Sequence, residues 1–328
     1  MRGLFPSARS AALLLILTAA APAQSPAPAG SAAKPWVAPR TAAGHPDLEG
    51  LWSSATLTPF ERPRDLAARE FFTAEEAAAY EKRMRAANDR DRRGSTPQAD
   101  VNGAYNEAWF DRGTTLFPTR RTSIVVDPPD GRVPPLTPQA QREAAARAAA
   151  QRDLPANPED MALPVRCILW PTAGPPMVPG PYNNNYQIVQ TAGSVVIDVE
   201  MIHDARIIPL DGRPHLDQNI RLWLGDSRGH WEGDTLVVDT TNFTANTRFR
   251  GSDQSLHLVE RFTRTGPNTL VYRFTVDDPT AFTKSWTGEI VMTRIKGPLY
   301  EYACHEANYA MANILRAARK SETAPPGK

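Results

Sequence analysis

The sequence predicts a mainly β fold, in which an antiparallel meander of short strands closes into a barrel. Two helices and a proline-rich arm are inserted before most of the strands. Three observations favour this fold. After Tyr182, short apolar runs alternate with turns that contain Gly, Asn or Pro. Two Ala-rich runs begin with helix-capping residues. Of the 31 prolines, 24 lie at or before Pro181. A β-sandwich built from the same strands is the alternative.

Composition excludes several classes of protein. The chain has 328 residues, with 37 basic and 36 acidic side chains and a net charge of +1. This balance gives no overall field that would attract nucleic acid or an anionic membrane. A hydrophobic content of 41% and a charged content of 22% exclude wholesale disorder and a polytopic membrane protein. Because basic residues do not cluster with aromatic ones along a strand, nucleic acid is not favoured as a partner.

The first residues have the pattern of a secretory signal peptide. Arg2 and Arg9 precede a short apolar run, and Ala21-Pro22-Ala23 supplies small residues for cleavage. The apolar run is shorter than the ~20 residues that span a bilayer. We therefore expect export to the periplasm or the exterior, with no integral membrane segment left after cleavage. The predicted organisation is a signal peptide (1–23), a disordered lead-in (24–43), a single β-rich domain (44–318) and a disordered tail (319–328).

The first part of the domain, 44–181, contains the predicted helices. Thr73-Ala-Glu-Glu76 is a capping box for a helix from Ala74 to about Arg93. Thr137-Pro138 supplies an N-cap and a first-turn proline for a second helix that ends near Asp153. Between Leu154 and Pro181 prolines recur too often for regular structure, so we expect an ordered arm laid over the domain surface.

The second part, 182–318, contains most of the predicted meander. With a first strand near Trp52, at least eight strands are available, and about eight strands enclose one small-ligand volume. A further strand is predicted at 122–126. The strands predicted after Tyr182 are Tyr186–Thr191, Ser194–Ile202, Ala205–Leu210, Thr235–Phe243, Leu256–Arg264, Thr269–Val276, Phe282–Arg294 and Leu299–Cys304.

Two resemblances follow from these segments. Gly50-Leu-Trp52 followed by an antiparallel meander is similar to the calycin superfamily, which includes the lipocalins, and this implies a calycin-like barrel. Other segments resemble a family of uncharacterised secreted bacterial proteins, over about 44–318. This second resemblance implies export and a shared fold, and it carries over no catalytic roles. The segments that carry it are YNNNYQIVQT at 182–191, EMIHDARIIPLDGRPH at 200–215, WLGDSR at 223–228 and WEGDTLVVD at 231–239.

Strand parity identifies Glu260 as a candidate site residue. Leu256, Leu258, Glu260 and Phe262 share one face of their strand because side chains alternate, so Glu260 lies among apolar neighbours. A buried carboxylate must be paired or protonated. Glu260 could act as a base or as an acid with a raised pKa. Alternatively, it pairs with an arginine inside the barrel and maintains the barrel's shape.

A second cluster begins where the strand Ser194–Ile202 ends. If Val199 and Met201 face the interior, parity places His203 at the barrel mouth. The functional hypothesis is acid–base chemistry such as hydrolysis, elimination or isomerisation, with His203 as proton carrier. The alternative is a turn network in which an aspartate caps the hairpin and arginines bind carbonyl groups. The candidate catalytic residues are His203, Asp204, Arg206, His215 and Glu260.

Aromatic and amide side chains form a candidate ligand-binding set. Planar rings and bidentate donors together suit sugars, aromatic acids or other oxygen-rich small molecules. Alternatively, the tryptophans fill the barrel end as core, and the three consecutive asparagines form a turn with positive φ. The candidate ligand-binding residues are Asn184, Tyr186, Trp223, Arg228 and Trp231. If these residues only bind, the protein is a non-catalytic periplasmic binder, and a third possibility is an envelope interaction protein.

No cofactor is expected, because neither a G-x-G-x-x-G nor a Walker pattern marks a nucleotide site. No metal site is expected either, because no histidines occur in an H-x-H or H-E-x-x-H spacing. Cys167 and Cys304 allow one intramolecular disulfide, which would persist in an exported protein. Two unpaired buried thiols are the alternative.

Overall fold

Nine antiparallel strands follow one another around a nearly closed barrel, which confirms the predicted fold class. The computed structural model describes residues 36–66, 69–92, 96–102, 106–150, 154–306 and 308–323. The predicted signal peptide and the first part of the lead-in, up to residue 35, lie outside these described residues. The strands are β1 (Gly50–Ser53), β2 (Val125–Asp127), β3 (Asn185–Gln190), β4 (Ser194–Val199), β5 (Asp204–Pro209), β6 (Asp226–Glu232), β7 (Thr235–Thr241), β8 (His257–Gly266), β9 (Thr269–Asp277) and β10 (Trp286–Arg294).

The strand order explains how the barrel forms from a meander. The path is β5-β4-β3-β1-β10-β9-β8-β7-β6, and β2 pairs with β10 beside β1. The two ends of the path, β5 and β6, lie next to each other. Side chains pack across this junction, since a Cβ on Gly229 would come within 2.8 Å of both Ile208 and Leu210. The sheet therefore curves until its two edge strands meet.

Large side chains fill the barrel interior. Trp52, Tyr186, Tyr272 and Trp286 are fully buried, and the Tyr272 ring stacks on Phe262 with 4.8 Å between ring centroids. Such rings bury a large apolar area, and close packing in the interior is the main source of stability. The barrel interior is thus a packed core.

The helices lie outside this core, and two of them begin where the sequence predicts, although the first ends at Asn88 and not near Arg93. They are α1 (Ala74–Asn88), α2 (Pro97–Asn102), α3 (Pro138–Ala150) and α4 (Ala310–Glu322). The predicted capping box of α1 is present, with Thr73 and Glu76 each bonded to the other's backbone. Thr137 caps α3 by accepting a hydrogen bond from the Ala140 backbone at 3.1 Å. Neither α2 nor α4 is predicted by the sequence.

The proline-rich arm, 154–181, forms no strand in its described residues and packs against the barrel. Two interior tyrosines bind its backbone. Tyr186 Oη donates to Thr172 O at 3.0 Å, and the Met177 N–H donates to Tyr272 Oη at 3.1 Å. Met177 is also buried in the main core. The arm therefore covers interior side chains that a bare barrel would leave exposed.

Two predicted strands need correction. The predicted strand Leu299–Cys304 has no regular structure, because the backbone N–H groups of Tyr300 and Tyr302 bond to side chains instead of to a neighbouring strand. The predicted strand Ser194–Ile202 stops at Val199, because Glu200 already has helical φ and ψ values and Ile202 then adopts a positive φ. Conversely, β6 is a strand that the sequence analysis does not predict, since its alternating pattern is interrupted by Gly229 and charged residues.

The predicted ends of the domain also change. In the predicted lead-in, residues 36–43 are ordered: Ala38 is buried, and Arg40 pairs with Asp234 at the start of β7. At the other end, α4 continues to Glu322, so the predicted tail is helical over 319–322. There Arg319 donates to the Ala156 carbonyl of the arm at 2.6 Å. Both segments are ordered by contacts with parts of the chain that are remote in sequence.

Candidate functional site

Glu260 and Arg206 meet inside the barrel. Glu260 is fully buried and Arg206 is 5% exposed. Arg206 Nη1 donates to Glu260 Oε1 at 3.1 Å, and Nη2 binds the other carboxylate oxygen. Tyr272 Oη donates to Oε1 at 2.7 Å, and burial, followed by the Glu260 charge, raises the pKa of Tyr272 so that it keeps its proton. The parity prediction for Glu260 is confirmed, and the carboxylate is enclosed and paired.

His203 lies in the turn between β4 and β5, and Asp204 is the first residue of β5; neither bonds to this pair in the described structure. Ile202 and His203 have φ values of 65° and 59°, and this turn reverses the face predicted for His203. The histidine is exposed, and its Nδ1 accepts a hydrogen bond from the Tyr302 backbone at 3.2 Å. Burial, followed by the nearby Asp198, raises the pKa of Asp204. The prediction that His203 ends a core strand is therefore wrong, because parity does not extend through the turn.

His215 lies in a third environment, on the outer face of β6, β7 and β8. Its Nδ1 lies 2.9 Å from Asp226 Oδ2, and its Nε2 lies 2.9 Å from Asp239 Oδ1. His257 Nε2 lies 2.8 Å from the other oxygen of Asp239. Arg228 pairs with Asp226 at 3.0 Å. The five predicted catalytic residues thus occupy three separate environments and do not form one catalytic group.

A serine motif near this network has no catalytic geometry. The segment Gly225–Gly229 reads G-D-S-R-G, which matches the G-x-S-x-G pattern of a nucleophile elbow. That elbow requires a strand-to-helix turn with an exposed serine. Ser227 instead lies within β6, is 5% exposed, and its Oγ is 3.0 Å from Thr240 Oγ1. The serine therefore links two strands.

Of the predicted ligand-binding residues, Asn184 and Tyr186 are buried supports. Asn184 Nδ2 donates to Asp111 O at 2.6 Å and to Gly180 O at 3.1 Å, while its Oδ1 accepts from Gly180 N at 2.7 Å. The amide thereby joins 109–111 to the segment before β3. Burial raises the pKa of Tyr186 well above its usual range, so its hydroxyl remains a hydrogen-bond donor.

The two predicted tryptophans lie at opposite ends of β6. The Trp231 ring stacks on His45, with 5.1 Å between ring centroids, and is partly buried against the core. Trp223 precedes the strand, and its carbonyl accepts a hydrogen bond from Thr247 Oγ1 at 2.8 Å. Arg228 is bound to Asp226 and to the carbonyl of Pro214. These three side chains therefore do not share a binding surface.

The predicted disulfide is present. Cys167 of the arm and Cys304 of the C-terminal segment are bonded, with their Cα atoms 5.7 Å apart. The bond joins positions 137 residues apart in sequence. It fixes the C-terminal segment beside the end of β4, where Tyr302 contacts His203.

The structure contains a concave site that the sequence analysis does not assemble. We call it the aromatic cleft; it has a volume of about 370 Å³. It lies at the end of the barrel where β3 begins and β4 ends. The residues that line it are Trp109, Phe110, Tyr182, Asn183 and Tyr302.

Three separate segments position these side chains. Trp109 ends a short 3₁₀ turn, and the next residues are attached to the β3 side by the Asp111 N–H, which donates to Pro181 O at 3.0 Å. The Phe110 and Tyr182 rings meet edge to face, with centroids 6.4 Å apart. Tyr302 is placed by the backbone bond to His203 and by the disulfide two residues later. The cleft therefore exists only in the folded chain.

Charged groups flank the cleft. Arg112 lies over the Phe110 ring, with its guanidinium 4.1 Å from the ring centroid. Glu200 is 3% exposed and accepts hydrogen bonds from Asn185 Nδ2 at 2.7 Å and the Tyr300 N–H at 3.1 Å. Partial burial of the Asp111 carboxyl raises its pKa, and the Glu200 charge raises it further. The Asp111 side chain still contacts solvent. Two carboxyl groups and a guanidinium thus lie near the aromatic cleft.

Several polar groups of the cleft are available to a ligand. Within the described part of the chain, the side-chain amide of Asn183, the Tyr302 hydroxyl and the Trp109 Nε1 have no hydrogen-bond partner. Trp109 is 68% exposed. The one part of the cleft that the sequence indicates is the Tyr182-Asn-Asn-Asn run. Trp109 and Tyr302 lie far from this run along the chain, and no sequence spacing relates them to it.

Fold and site together define an antiparallel β-barrel protein with an aromatic cleft at one end of the barrel. Comparison with known protein-family models gives no match, and comparison with curated proteins gives none either. Among the described helices, none is long and apolar enough to cross a membrane. Since a barrel fold hosts many functions, the function has to be argued from the cleft itself.

Proposed function

We propose that this protein binds a polar small molecule that carries a ring, and that the ligand occupies the aromatic cleft. The observation that carries the proposal is the convergence of four aromatic rings and one unpartnered amide, Asn183, on a concave surface of about 370 Å³. Ligand sites in proteins are typically concave, with mostly apolar walls and a few polar groups that orient the ligand. Sugars and aromatic acids belong to this ligand class.

Each wall of the cleft would have a separate role. The exposed Trp109 ring and the Tyr302 ring offer flat apolar faces for a planar ligand. The Asn183 amide offers both a donor and an acceptor, which would select ligands with hydroxyl or carbonyl groups. Asn184 would act as a positioning residue, since its side chain joins the segments that carry Trp109 and Asn183.

We also propose that the protein is exported and meets its ligand outside the cytoplasm. The N-terminal pattern predicts a signal peptide, and disulfides such as Cys167–Cys304 persist in oxidising compartments. We therefore propose the periplasm or the exterior as the place where the ligand is met. The resemblances to calycins and to secreted bacterial proteins remain predictions.

Acid–base catalysis on the bound ligand is the second candidate function. The observation that favours it is Asp111, whose pKa is raised next to the Glu200 carboxylate and beside the cleft. A carboxyl that keeps its proton to higher pH can donate it, while a neighbouring carboxylate can accept one. Glu260 does not take this role in the proposal, because its carboxylate is enclosed and bound to Arg206.

A ligand screen with matched variants tests the proposal. Ring-bearing polar metabolites are screened by ligand-observed NMR, and hits are measured by isothermal titration calorimetry. Asn183→Gly suits the positive φ of 53° at this position while removing the amide. We expect this variant and Tyr302→Ala to weaken binding about tenfold or more. Phe71→Ala, an exposed ring away from the cleft, is the control and should bind normally.

The outcomes separate the candidate functions. Binding that survives in both cleft variants contradicts the proposed site. If a hit is also converted to product, Asp111→Asn is expected to lower turnover about a hundredfold while the Kd changes little. Turnover that is unchanged in this variant assigns the cleft to binding alone. If no ligand of this class binds at millimolar concentration, the envelope interaction protein becomes the better candidate.

A further inference from the structure

A second cavity lies between the proline-rich arm and the segment before β8. It has a volume of about 250 Å³ and is separate from the aromatic cleft in its lining. We call it the arm groove. Its apolar walls come mainly from Leu163, Leu169, Trp170, Pro175, Pro176 and Phe249. Trp170 connects it to the aromatic cleft through a ring contact with Tyr182, with 5.9 Å between centroids.

One positive charge lies at the rim of this apolar surface. Arg248 is the single charged side chain among the described residues that line the groove. It is exposed, and in the described part of the chain its guanidinium has no ion pair or hydrogen bond. The neighbouring Arg250, by contrast, stacks on Phe60 with 3.6 Å to the ring centroid. Arg248 is therefore available for an anion.

A second polar group lies beside Arg248. Asn246 also lines the groove, and in the described residues its side-chain amide has no partner, although its backbone N–H bonds to Thr244 Oγ1. The lining of the groove therefore includes the N–H donors of one guanidinium and one amide. Guanidinium binds carboxylates in a two-bond geometry that is stronger than neutral hydrogen bonding.

The size of the groove limits its occupant. A cavity of about 150 Å³ holds one benzene ring, so about 250 Å³ corresponds to roughly ten non-hydrogen atoms. An unbranched carboxylate with eight carbons has this size. Its chain would lie against Trp170, Pro175 and Phe249, and its single charge would complement Arg248.

We propose that the arm groove binds an amphiphilic carboxylate of medium chain length, with the carboxylate on Arg248 and the chain between the arm and Phe249. This site is independent of the aromatic cleft and does not rest on the function proposed for it. A small-molecule carboxylate is favoured over a neutral lipid because the only charge in the described lining is positive.

Octanoate and 1-octanol are the probes, because they share a chain length and differ in charge. Isothermal titration calorimetry on the full exported protein with its disulfide intact should give octanoate about tenfold tighter binding than octanol. Arg248→Gln should weaken octanoate about tenfold and leave octanol within about twofold. The matched control is Arg213→Gln, an exposed arginine that pairs with Asp211 and lies outside the groove; it should leave both affinities unchanged.

Three results would overturn the inference. These are the absence of octanoate binding, equal affinities for octanoate and octanol in the wild type, and an octanoate affinity that Arg248→Gln leaves unchanged. Tyr302→Ala distinguishes the two cavities, because Tyr302 lines the aromatic cleft and does not line the arm groove. Octanoate affinity should be kept in that variant, and its loss, a fourth result against the inference, would assign the carboxylate to the aromatic cleft instead.

Discussion

Glu260 and Arg206 are withdrawn from water in the middle of the barrel, where an unpaired charge is costly. Arg206 provides two hydrogen bonds to the carboxylate, and Tyr272 provides a third. Removing two charges from water opposes folding, while their mutual attraction in a poorly polarisable interior favours it. The pair is therefore stable only as a unit.

We predict that Glu260→Gln lowers the free energy of unfolding by about 3 kcal/mol, since it leaves the Arg206 charge buried without a counterion. Gln can still accept the Tyr272 hydrogen bond, so the loss reflects charge more than shape. Urea unfolding followed by circular dichroism measures the change. Affinity for a ligand of the aromatic cleft should be unaffected in the folded variant.

A double-mutant cycle provides the control for this prediction. Adding Arg206→Met to Glu260→Gln removes both charges. The double variant should therefore lose less free energy of unfolding than the two single variants lose in sum, by at least about 1 kcal/mol. The exposed pair Arg261–Glu232 is the matched comparison, and Arg261→Gln should cost less than about 1 kcal/mol. Equal losses at the two pairs would contradict the argument.

At the scale of elements, the segment 211–225 between β5 and β6 is attached to the barrel by imidazoles and carboxylates. Asp226 accepts the Leu216 N–H at 2.9 Å and lies beside His215. One carboxylate oxygen of Asp239 in β7 contacts the His215 ring, and the other contacts the His257 ring of β8. Asp239 therefore connects the segment 211–225 to β8 through two imidazole rings.

The contribution of this network to stability depends on pH, because the pKa values of His257 and Asp239 are shifted in opposite directions. The hydrogen bond to Asp239 raises the pKa of His257, with smaller effects of the Asp239 and Asp277 charges. The same hydrogen bond lowers the pKa of Asp239. The His257 contribution is present below its unfolded pKa and is lost as pH rises through the raised value. The Asp239 contribution is present above its unfolded pKa and is lost as pH falls through the lowered value.

We therefore predict that His257→Gln destabilises the protein most between about pH 4 and pH 6.5, the unfolded pKa values of the two groups. The loss should stay below about 1 kcal/mol, because both side chains are about 40% exposed. It should shrink as the pH rises through the raised pKa of His257. Urea midpoints measured across this range test it. His305→Gln is the control, since His305 has no ion pair in the described structure. A loss that grows above pH 8 would contradict the assignment.

At the scale of the whole molecule, the disulfide joins two regions that the strand order leaves apart. Cys167 lies in the proline-rich arm, and Cys304 lies beyond the last strand. The arm covers interior tyrosines, and the C-terminal segment supplies Tyr302 to the aromatic cleft. The bond thus connects the covering of the barrel to one wall of the candidate site.

Replacing both cysteines with serine is predicted to lower the free energy of unfolding by about 2 to 5 kcal/mol, because the unfolded chain loses a constraint across a long loop. The affinity of a ligand of the aromatic cleft should fall as well, since Tyr302 is then less firmly held. Urea unfolding and calorimetry measure the two effects. Adding reductant should weaken the wild type and leave the double variant unchanged. A wild type insensitive to reductant would contradict this role.

The sequence could predict the features that depend on neighbours along the chain. Alternation in β8 places Glu260 inside the barrel, the capping box begins α1 at Ala74, and proline density marks the arm. Each of these follows from local geometry: period-two side chains, a bonded helix end, or a missing backbone donor. Two cysteines allow only one intramolecular pair, and that disulfide is found.

Local reasoning fails where a backbone turn or a remote contact intervenes. The positive φ of Ile202 turns His203 outward, and a parity argument cannot detect such a turn. Residues 36–43 and 319–322 are ordered by contacts with Asp234 and the arm, which are distant in sequence. Composition therefore predicts disorder there, although tertiary contacts order both segments.

By itself, the sequence determined the class of fold, the interior position of Glu260, the arm and the disulfide, because each is a property of periodicity, composition or counting. Only the tertiary structure decided which arginine neutralises Glu260, which carboxylates hold His215, and that Trp109, Asn183 and Tyr302 form one cleft. The physical reason is that barrel closure and the disulfide bring together segments nearly 200 residues apart, and no local pattern encodes which distant side chains then meet.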